Sequence, residues 1–557
     1  MNRKQRRAGE GDQLTCKPVS RASQARNVQI EAQQQNELAC RLLQQGRLPE
    51  AAAHFARAMA LMPELLEEYA PVVATLLNIN PSLREGVTRV AKAWPRELAA
   101  EELLGSQGIA AIASDPLLKW LLEAATVRDL NLERYLTALR RIMLSRALAA
   151  AEDHAAHSAD PALELCCALA KQCFINEYVF DASPAEIIQA QQLKDNLIAA
   201  LDSANAVAPI VVAAVGEYFP IGEWPGAQKL LGRAWPPAVQ SLLAQQVSEP
   251  EEERQLRNTI PRLTSISDAV SLLVQQQYEE NPYPRWVAPP SDRGGSSVTD
   301  YLRQQFPAAG LHDIPNDKHP EILVAGCGTG QQAIVTARRF GMGKVLALDL
   351  SLASLAYAKR MARSLDAGNI EFAQGDITEL KSIDRTFDLI ESSGVLHHLA
   401  EPMAGWRVLF SLLRQGGVMH VGLYSAAARQ DIAAARAFAA KQGWRGSPDE
   451  IRRCRREILN TPMAAVARYA DFFSISECRD LLFHVQEHRL SIPEIKSFLR
   501  EHCLKFLGFE VHPRIYQTFR FRFPADPSMT DLDLWQQFEA ENPGAFAGMY
   551  QFWVQKG

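Results

Sequence analysis

The sequence predicts a doubly wound α/β domain set behind a helical N-terminal half. Three observations carry that prediction. Between Gln34 and about Ile260 the chain reads as helix almost throughout. From Glu321 onward, short apolar runs alternate with helical windows, the pattern of a parallel sheet with helices on both faces. The first of those runs ends in Gly326-Cys327-Gly328-Thr329-Gly330, a glycine turn between a strand and a helix.

The bulk numbers agree with this division. A chain of 557 residues exceeds one ordinary core, and two to four domains are expected at about 100–200 residues each. An apolar fraction of 47% and a charged fraction of 22% are those of a soluble globular protein. A formal net charge of −5 gives no sign of nucleic-acid binding, so no nucleic-acid partner is expected. The nine cysteines, Cys16, Cys40, Cys166, Cys167, Cys173, Cys327, Cys454, Cys478 and Cys503, are odd in number and contain no Cys-x-x-Cys pair. That argues against a disulfide framework and a cysteine zinc site, and points to a reducing, cytoplasmic setting.

Taken in order, residues 1–30 lack periodicity and are expected to form a disordered tail. Its basic residues Arg3, Lys4, Arg6 and Arg7 read as solvated, with contact to an acidic surface as the alternative. No apolar segment follows them, so the start is not read as a secretory signal. Residues 31–95 read as tetratricopeptide-like helices. Leu38, Ala39, Leu42, Gly46, Ala51, Phe55, Ala58 and Pro63 fall at the spacing of one such repeat, in which Gly46 permits the turn and the alanines let two helices touch. A generic helical hairpin is the alternative.

Residues 96–260 read as an all-helical middle region suited to dimerisation. Cys166, Cys167 and Cys173 lie on an apolar helix stripe there and read as core. The most apolar stretch, Ala206–Gly216, is too short to span a bilayer and contains Pro209, so no membrane anchor is expected.

Residues 261–425 read as the α/β core, entered through the proline- and aromatic-rich YEENPYPRWVAPP at 278–290. Its strand-like runs are EILVAG, KVLALDL, IEFAQGD, FDLIESSGVL and GGVMHVGLY. Residues 426–501 read as a helical insertion and a candidate acceptor region. Residues 502–557 then carry three strand-like pieces, LKFLGFEVH, YQTFRFRF and MYQFWVQ, that close the sheet.

A glycine turn after a strand suits a dinucleotide, a nucleoside or nothing but a tight turn. Four further features narrow that range. Asp349 ends the second strand, where a carboxylate accepts hydrogen bonds from ribose hydroxyls. Asp376 follows the third strand, placed to meet an adenine amino group while Ile377 packs on the ring. The fourth strand delivers Glu391, Ser392 and His397 to the same carboxyl edge, where ligands of open α/β sheets bind. Gly416 and Gly417 open the fifth strand.

The joint pattern of GCGTG, ALDLS, GDI and VLHHL followed by GG resembles the class I S-adenosylmethionine-dependent methyltransferase family, closely over Glu321–Tyr424 and loosely over the closing strands. The resemblance implies a seven-stranded sheet and S-adenosyl-L-methionine as cofactor. It implies that Gly326, Cys327, Gly328, Gly330, Gln331, Asp349, Leu350, Asp376, Ile377, Ser392 and His397 hold that cofactor. One departure is Val324, where many family members carry an acid that helps hold the methionine end. Backbone near Gly326, Ser392 and the upstream Arg285 are the candidates to take over. Tyr278–Trp286 falls where such enzymes carry a lid, in which Arg285 would pair with the cofactor carboxylate and Tyr283 would face the sulfonium. A rigid linker is the alternative.

No catalytic residue is fixed by these motifs, and the candidates are His484, His488 and Tyr283. His484-Val485-Gln486-Glu487-His488 matches the H-x-x-E-H zinc pattern. No third ligand is apparent in the sequence, so no metal is expected; a substrate-pocket role for the histidines is preferred to a metal, and ordinary surface or structural histidines are the remaining reading.

The helical front half, with CFINEYVF and ENPYPRW, is similar in layout to bacterial repeat-containing methyltransferases and to rickettsial outer-membrane-protein lysine methyltransferases. That likeness implies a protein lysine acceptor, a bacterial outer-membrane polypeptide as partner, and a homodimer through the helical half. A small-molecule methyltransferase and a non-catalytic scaffold retaining the cofactor fold are the alternatives.

Overall fold

The structure is a computed structural model that describes residues 21–62, 69–106, 108–152, 162–203, 205–287 and 295–557. Residues 1–20, with the basic cluster at Arg3–Arg7 and Cys16, lie outside the described residues, as does Pro63. Residues 21–30 correct the expected tail, because they begin the helix Arg21–Gln44. That helix is polar along its first turns, which hides its periodicity. A second helix, Leu48–Leu61, turns back on it through Gly46 at φ +72°. Ala39, Leu42, Ala51, Phe55 and Ala58 are buried, Ala51 and Ala58 leaving room for close contact.

Helices continue from Tyr69–Ile79 to Glu249–Arg257. Several start on a proline behind an Asx or Ser cap, as at Asn80-Pro81, Asp115-Pro116 and Ser183-Pro184, so the sequence writes these starts locally. Cys166, Cys167 and Cys173 are buried in the helix Ala162–Ile175, and burial pushes the thiols of Cys167 and Cys173 up to about 12. Pro209–Gly216 is a fully buried eight-residue helix. Among the described residues no helix is long and apolar enough to cross a membrane.

Seven strands form one sheet: β1 (Glu321–Ala325), β2 (Lys344–Asp349), β3 (Ile370–Gln374), β4 (Phe387–Ser393), β5 (Leu413–Tyr424), β6 (Leu504–Phe509) and β7 (Met549–Lys556). Their order is β3-β2-β1-β4-β5-β7-β6. The first five are parallel, and β7 runs antiparallel between β5 and β6. The parallel strands are buried on both faces, hence their nearly unbroken apolar sequences. The chain order reverses between β1 and β4, which opens a crevice at the carboxyl edge.

One expected strand is a helix. YQTFRFRF alternates like a strand, yet it lies in Pro513–Arg522 and its end. Phe519 and Phe523, four residues apart, are buried, whereas Phe521 is 91% exposed. Burial therefore follows the helical period, and Pro513 with the His512 side-chain cap starts it.

The helices between β5 and β6 divide in two. Ile432–Leu482 contribute to the same apolar core as Ala39–Val247. Arg455 pairs with Glu133 at 2.7 Å inside that core, and Arg452 donates to Tyr178 O at 2.8 Å. The helix Ile492–Glu501 instead packs on the sheet core through Ile495 and Phe498. The stretch expected as one insertion thus forms mainly a second half of the helical body, roofing the carboxyl edge of the sheet.

Candidate functional site

The strand β1 ends under the glycine loop, and the loop's shape explains its composition. Gly326 and Gly328 have φ +78° and +51°. A Cβ on Gly328 would stand 2.5 Å from Tyr283 O, and one on Gly326 would stand 2.4 Å from the Val395 side chain. The helix Gln331–Arg339 follows directly and offers its N-terminal end to a ligand.

Asp349 terminates β2 beneath this loop. Its carboxylate accepts from Gly328 N at 2.8 Å and from Ser351 N at 2.9 Å. Burial raises its pKa to about 6 against those hydrogen bonds. Asp376 follows β3 and accepts from Thr378 through Oδ1, at 2.9 Å from N and 2.8 Å from Oγ1. Its Oδ2 is buried without a partner among the described residues. These two acids and the apolar Leu350 and Ile377 line a cavity of about 570 Å³, with Gly326, Cys327, Gly328 and Gln331 on its other wall. The donor set fits S-adenosylmethionine: a lone buried carboxylate oxygen beside an apolar wall for an adenine amino edge, and a second carboxylate for vicinal hydroxyls.

A lid closes one side. The helix Ala269–Glu280 runs into Tyr283–Trp286, which is pinned to the glycine loop. Trp286 Nε1 donates to Thr329 Oγ1 at 3.1 Å, Thr329 N donates to Tyr283 O at 3.3 Å, and Thr329 Oγ1 donates to Pro284 O. Ser351 Oγ donates to Tyr278 O at 3.1 Å. Tyr283 lines the cavity beside Tyr278, their rings stacked at 6.3 Å.

Several sequence-predicted residues stand elsewhere. Arg285 turns out of the cavity: its guanidinium lies 4.8 Å over the Phe174 ring, donates to Phe174 O at 3.4 Å, and lines a separate polar cavity of about 360 Å³. Gly330, at φ +85°, packs against Ala358 and serves the turn itself. Ser392 is buried with an unpartnered Oγ, while the next residue, Ser393, reaches the cavity. His397 stacks on Tyr424 at 3.6 Å with Nδ1 accepting from Tyr424 N, and its neighbour His398 lines the cavity instead. Both corrections are by one residue, because the side-chain direction at a strand end and in the short turn Leu396–His398 is not fixed by an apolar run.

The H-x-x-E-H segment is not a helix. Ile475–Phe483 ends at His484, so His484 and His488 do not share a helical face. His488 contacts Gln486 at 2.8 Å and donates its backbone N–H to His397 O at 2.8 Å. Glu487 is held by Arg429 at 3.1 Å. His484 meets His398 and Asp480 in a buried cluster, with donor atoms within 4.8 Å of one another.

A further wall of the cavity is built from residues not named among the predicted site residues: Tyr278, His398, Tyr424 and, behind them, Asp480. Tyr278 donates to Asp480 Oδ1 at 2.7 Å and Tyr424 donates to Oδ2 at 3.3 Å. Burial holds the Tyr278, Tyr283 and Tyr424 phenols well above their ordinary value, so they stay neutral. Tyr424 was findable, since it ends the fifth strand on the same edge as Asp349. Arg339 and Gln551 line the far wall, where Arg339 lies 4.5 Å over the Tyr301 ring. Val324 is buried and pairs in register with Glu391, whose carboxylate accepts from Gln332 at 3.1 Å beside the cavity.

Comparison with known proteins finds likenesses to parts of this chain. Residues 316–455 match a family model described as a methyltransferase domain. An uncharacterised protein of Synechococcus sp. is 29% identical over 300 residues, covering 51% of this chain and 70% of the relative. Trans-aconitate 2-methyltransferase of Deinococcus radiodurans is 40% identical over 108 residues, covering 19% of this chain and 39% of the relative. Among solved structures, PKMT2 from Rickettsia typhi in complex with AdoHcy aligns at a TM-score of 0.36 and 18% identity, over 46% of this chain and 53% of that one.

Proposed function

We propose that this chain, whose α/β half is a methyltransferase domain using S-adenosylmethionine, transfers the methyl group to an amine, in the first instance a protein lysine side chain. The observation that carries the amine is the wall of three neutral tyrosines, Tyr278, Tyr283 and Tyr424, backed by Asp480. Aromatic faces attract an ammonium and its methylated products, and a carboxylate behind them adds to that attraction. S-adenosylmethionine, when bound, supplies an activated methyl group. Gly326, Gly328, Asp349 and Asp376 hold and orient it. The lid Tyr278–Trp286 excludes water, and Tyr278, Tyr283 and Tyr424 align the attacking nitrogen. The enzyme's contribution is then chiefly approach geometry. The helical body roofing the site supplies a surface for a polypeptide, and by the layout of the sequence an outer-membrane polypeptide is the expected acceptor.

A second reading, a carboxylate acceptor, is favoured by Arg339 on the far wall of the same cavity. One experiment separates the two. Tritiated S-adenosylmethionine and the enzyme are added to bacterial lysate, and the labelled species are identified. Protein-bound methyl-lysine that survives mild alkali is the expected product. Label confined to small molecules, or released by alkali as a methyl ester, contradicts the lysine reading.

A further inference from the structure

We propose that His398 is the catalytic residue that takes the acceptor's proton, through Nε2. The inference rests on the reading of this cavity as a methyltransferase site with an N–H acceptor. His398 lines the cavity on the short turn after β4, beside Val395 and Tyr424. Its Nδ1 lies 2.7 Å from Gln486 O. A carbonyl oxygen only accepts, so Nδ1 carries the hydrogen and Nε2 keeps the lone pair. The ring is fixed by stacking on His484 at 3.6 Å and by the edge of Tyr424 at 5.5 Å.

The neighbouring hydrogen bonds set a direction. Gln486 N donates to His484 Nδ1 at 3.1 Å, so the hydrogen of neutral His484 is on Nε2. That nitrogen is 3.1 Å from Tyr278 Oη, which itself donates to Asp480 Oδ1. His398, Asp480 and His484 are close enough to hold a metal ion. For His484, coordination through Nε2 would require the hydrogen on Nδ1, opposite the Gln486 N–H. Asp480 and His484 are instead both hydrogen-bonded to Tyr278, and His398 is held separately on Gln486 O.

The charged and titratable groups about His398 come from every packed element. His397 lies on its own turn, and Asp480 and His484 lie on and just after Ile475–Phe483. Tyr278 is on the lid helix, Tyr424 on β5, Arg429 before the helix Gln430–Lys441, and Glu487 and His488 on the loop 484–490. Burial lowers His398, and Asp480, the Gln486 carbonyl and Glu487 work against that lowering.

The step balances as follows. The ammonium of the acceptor passes one proton to His398 Nε2, giving a neutral amine and an imidazolium. The amine nitrogen forms a bond to the methyl carbon as the C–S bond breaks, and that electron pair leaves on sulfur. The product nitrogen carries the positive charge that the sulfonium gave up, and the imidazolium proton is released to water.

The test has two arms. Nitrogen-15 spectra of the full chain read the tautomer without any acceptor: an unprotonated Nε2 is expected, and a protonated Nε2 overturns the proposal. Transfer is then measured at saturating S-adenosylmethionine with the acceptor labelled in the lysate experiment, for wild type and His398→Asn, from about pH 4.5 to about pH 9, because burial places the His398 limb below its ordinary 6.5. The variant is expected to bind S-adenosylmethionine as wild type does, to lose about a hundred- to ten-thousandfold in kcat, and to lose the acid limb of the wild-type profile. An unchanged kcat, an unchanged limb, or one zinc per wild-type chain that the variant lacks would overturn it. If wild type labels a hydroxyl, the lysine reading fails while the same comparison still decides the role of His398; label on a carboxylate, which has no proton to give, overturns both. If it labels nothing, the tautomer alone decides.

Discussion

At the scale of single residues, the cofactor end of the site is held by backbone geometry that only particular side chains permit. Gly328 combines a left-handed backbone with the carbonyl of Tyr283 where a methyl group would stand. Gly328→Ala is therefore expected to lift the lid and weaken S-adenosylmethionine binding at least about tenfold, at the roughly 1–2 kcal/mol of a strained left-handed alanine; titration calorimetry reads this. Asp349 gives a pH prediction. Its carboxylate, raised to about 6 by burial, would accept ribose hydroxyls in its ionised form. Affinity for S-adenosylmethionine should be flat above that pH and fall about tenfold per unit below it. Asp349→Asn should abolish that dependence, and a flat wild-type profile down to pH 5 would count against the assignment. Both residues were legible in the sequence, because each sits at a fixed offset from a strand end. Asp480 was not: it meets Tyr278 across 202 residues, and no local pattern encodes that contact.

At the scale of elements, the sheet carries a buried pair of its own. His420 on β5 faces Glu510 just after β6 at 3.5 Å, with its ring stacked on Trp553 of β7 at 4.9 Å. Burial works against protonated His420, but Glu510 outweighs it and raises the imidazole above 6.5. Burial likewise works against ionised Glu510, but His420 outweighs it and lowers the carboxyl from 4.5 to about 2. The raised His420 contributes stability that is complete below pH 6.5 and lost as pH rises through its folded value. The lowered Glu510 contributes stability present above pH 4.5 and lost as pH falls toward about 2. The pair should therefore stabilise most between about pH 4.5 and 6.5. Glu510→Gln is expected to lower the urea midpoint more at pH 6 than at pH 9, and an equal loss at both would refute the coupling. The strands themselves were readable as apolar runs bounded by glycines. Pro513–Arg522 was not, since an alternating Phe-Arg sequence suits a strand equally well until packing decides which rings are covered.

At the scale of the whole molecule, two regions far apart in sequence make one roof over the sheet. The helix Ile475–Phe483, which carries Asp480, starts on the helical body: Ile475 N donates to Asn176 O at 3.3 Å and Ser476 N to Glu177 at 2.5 Å. The N-terminal half therefore helps to position Asp480 and, through it, Tyr278 and Tyr424 at the cavity. One of its ties to the later helices is the buried Arg455–Glu133 pair, so Glu133→Gln should cost about 3–5 kcal/mol by leaving the guanidinium uncompensated. Denaturant unfolding checks this, and a loss of under about 1 kcal/mol would mean that this pair adds little to the joining of the two regions. Composition and periodicity showed that both regions are helical, but the shared core is a long-range contact that periodicity does not report. Titration of the full chain with S-adenosylmethionine reads whether the cavity under the glycine loop takes that cofactor. One site per chain, lost in Asp349→Ala with the fold intact, is the predicted result; no heat at millimolar ligand would contradict it.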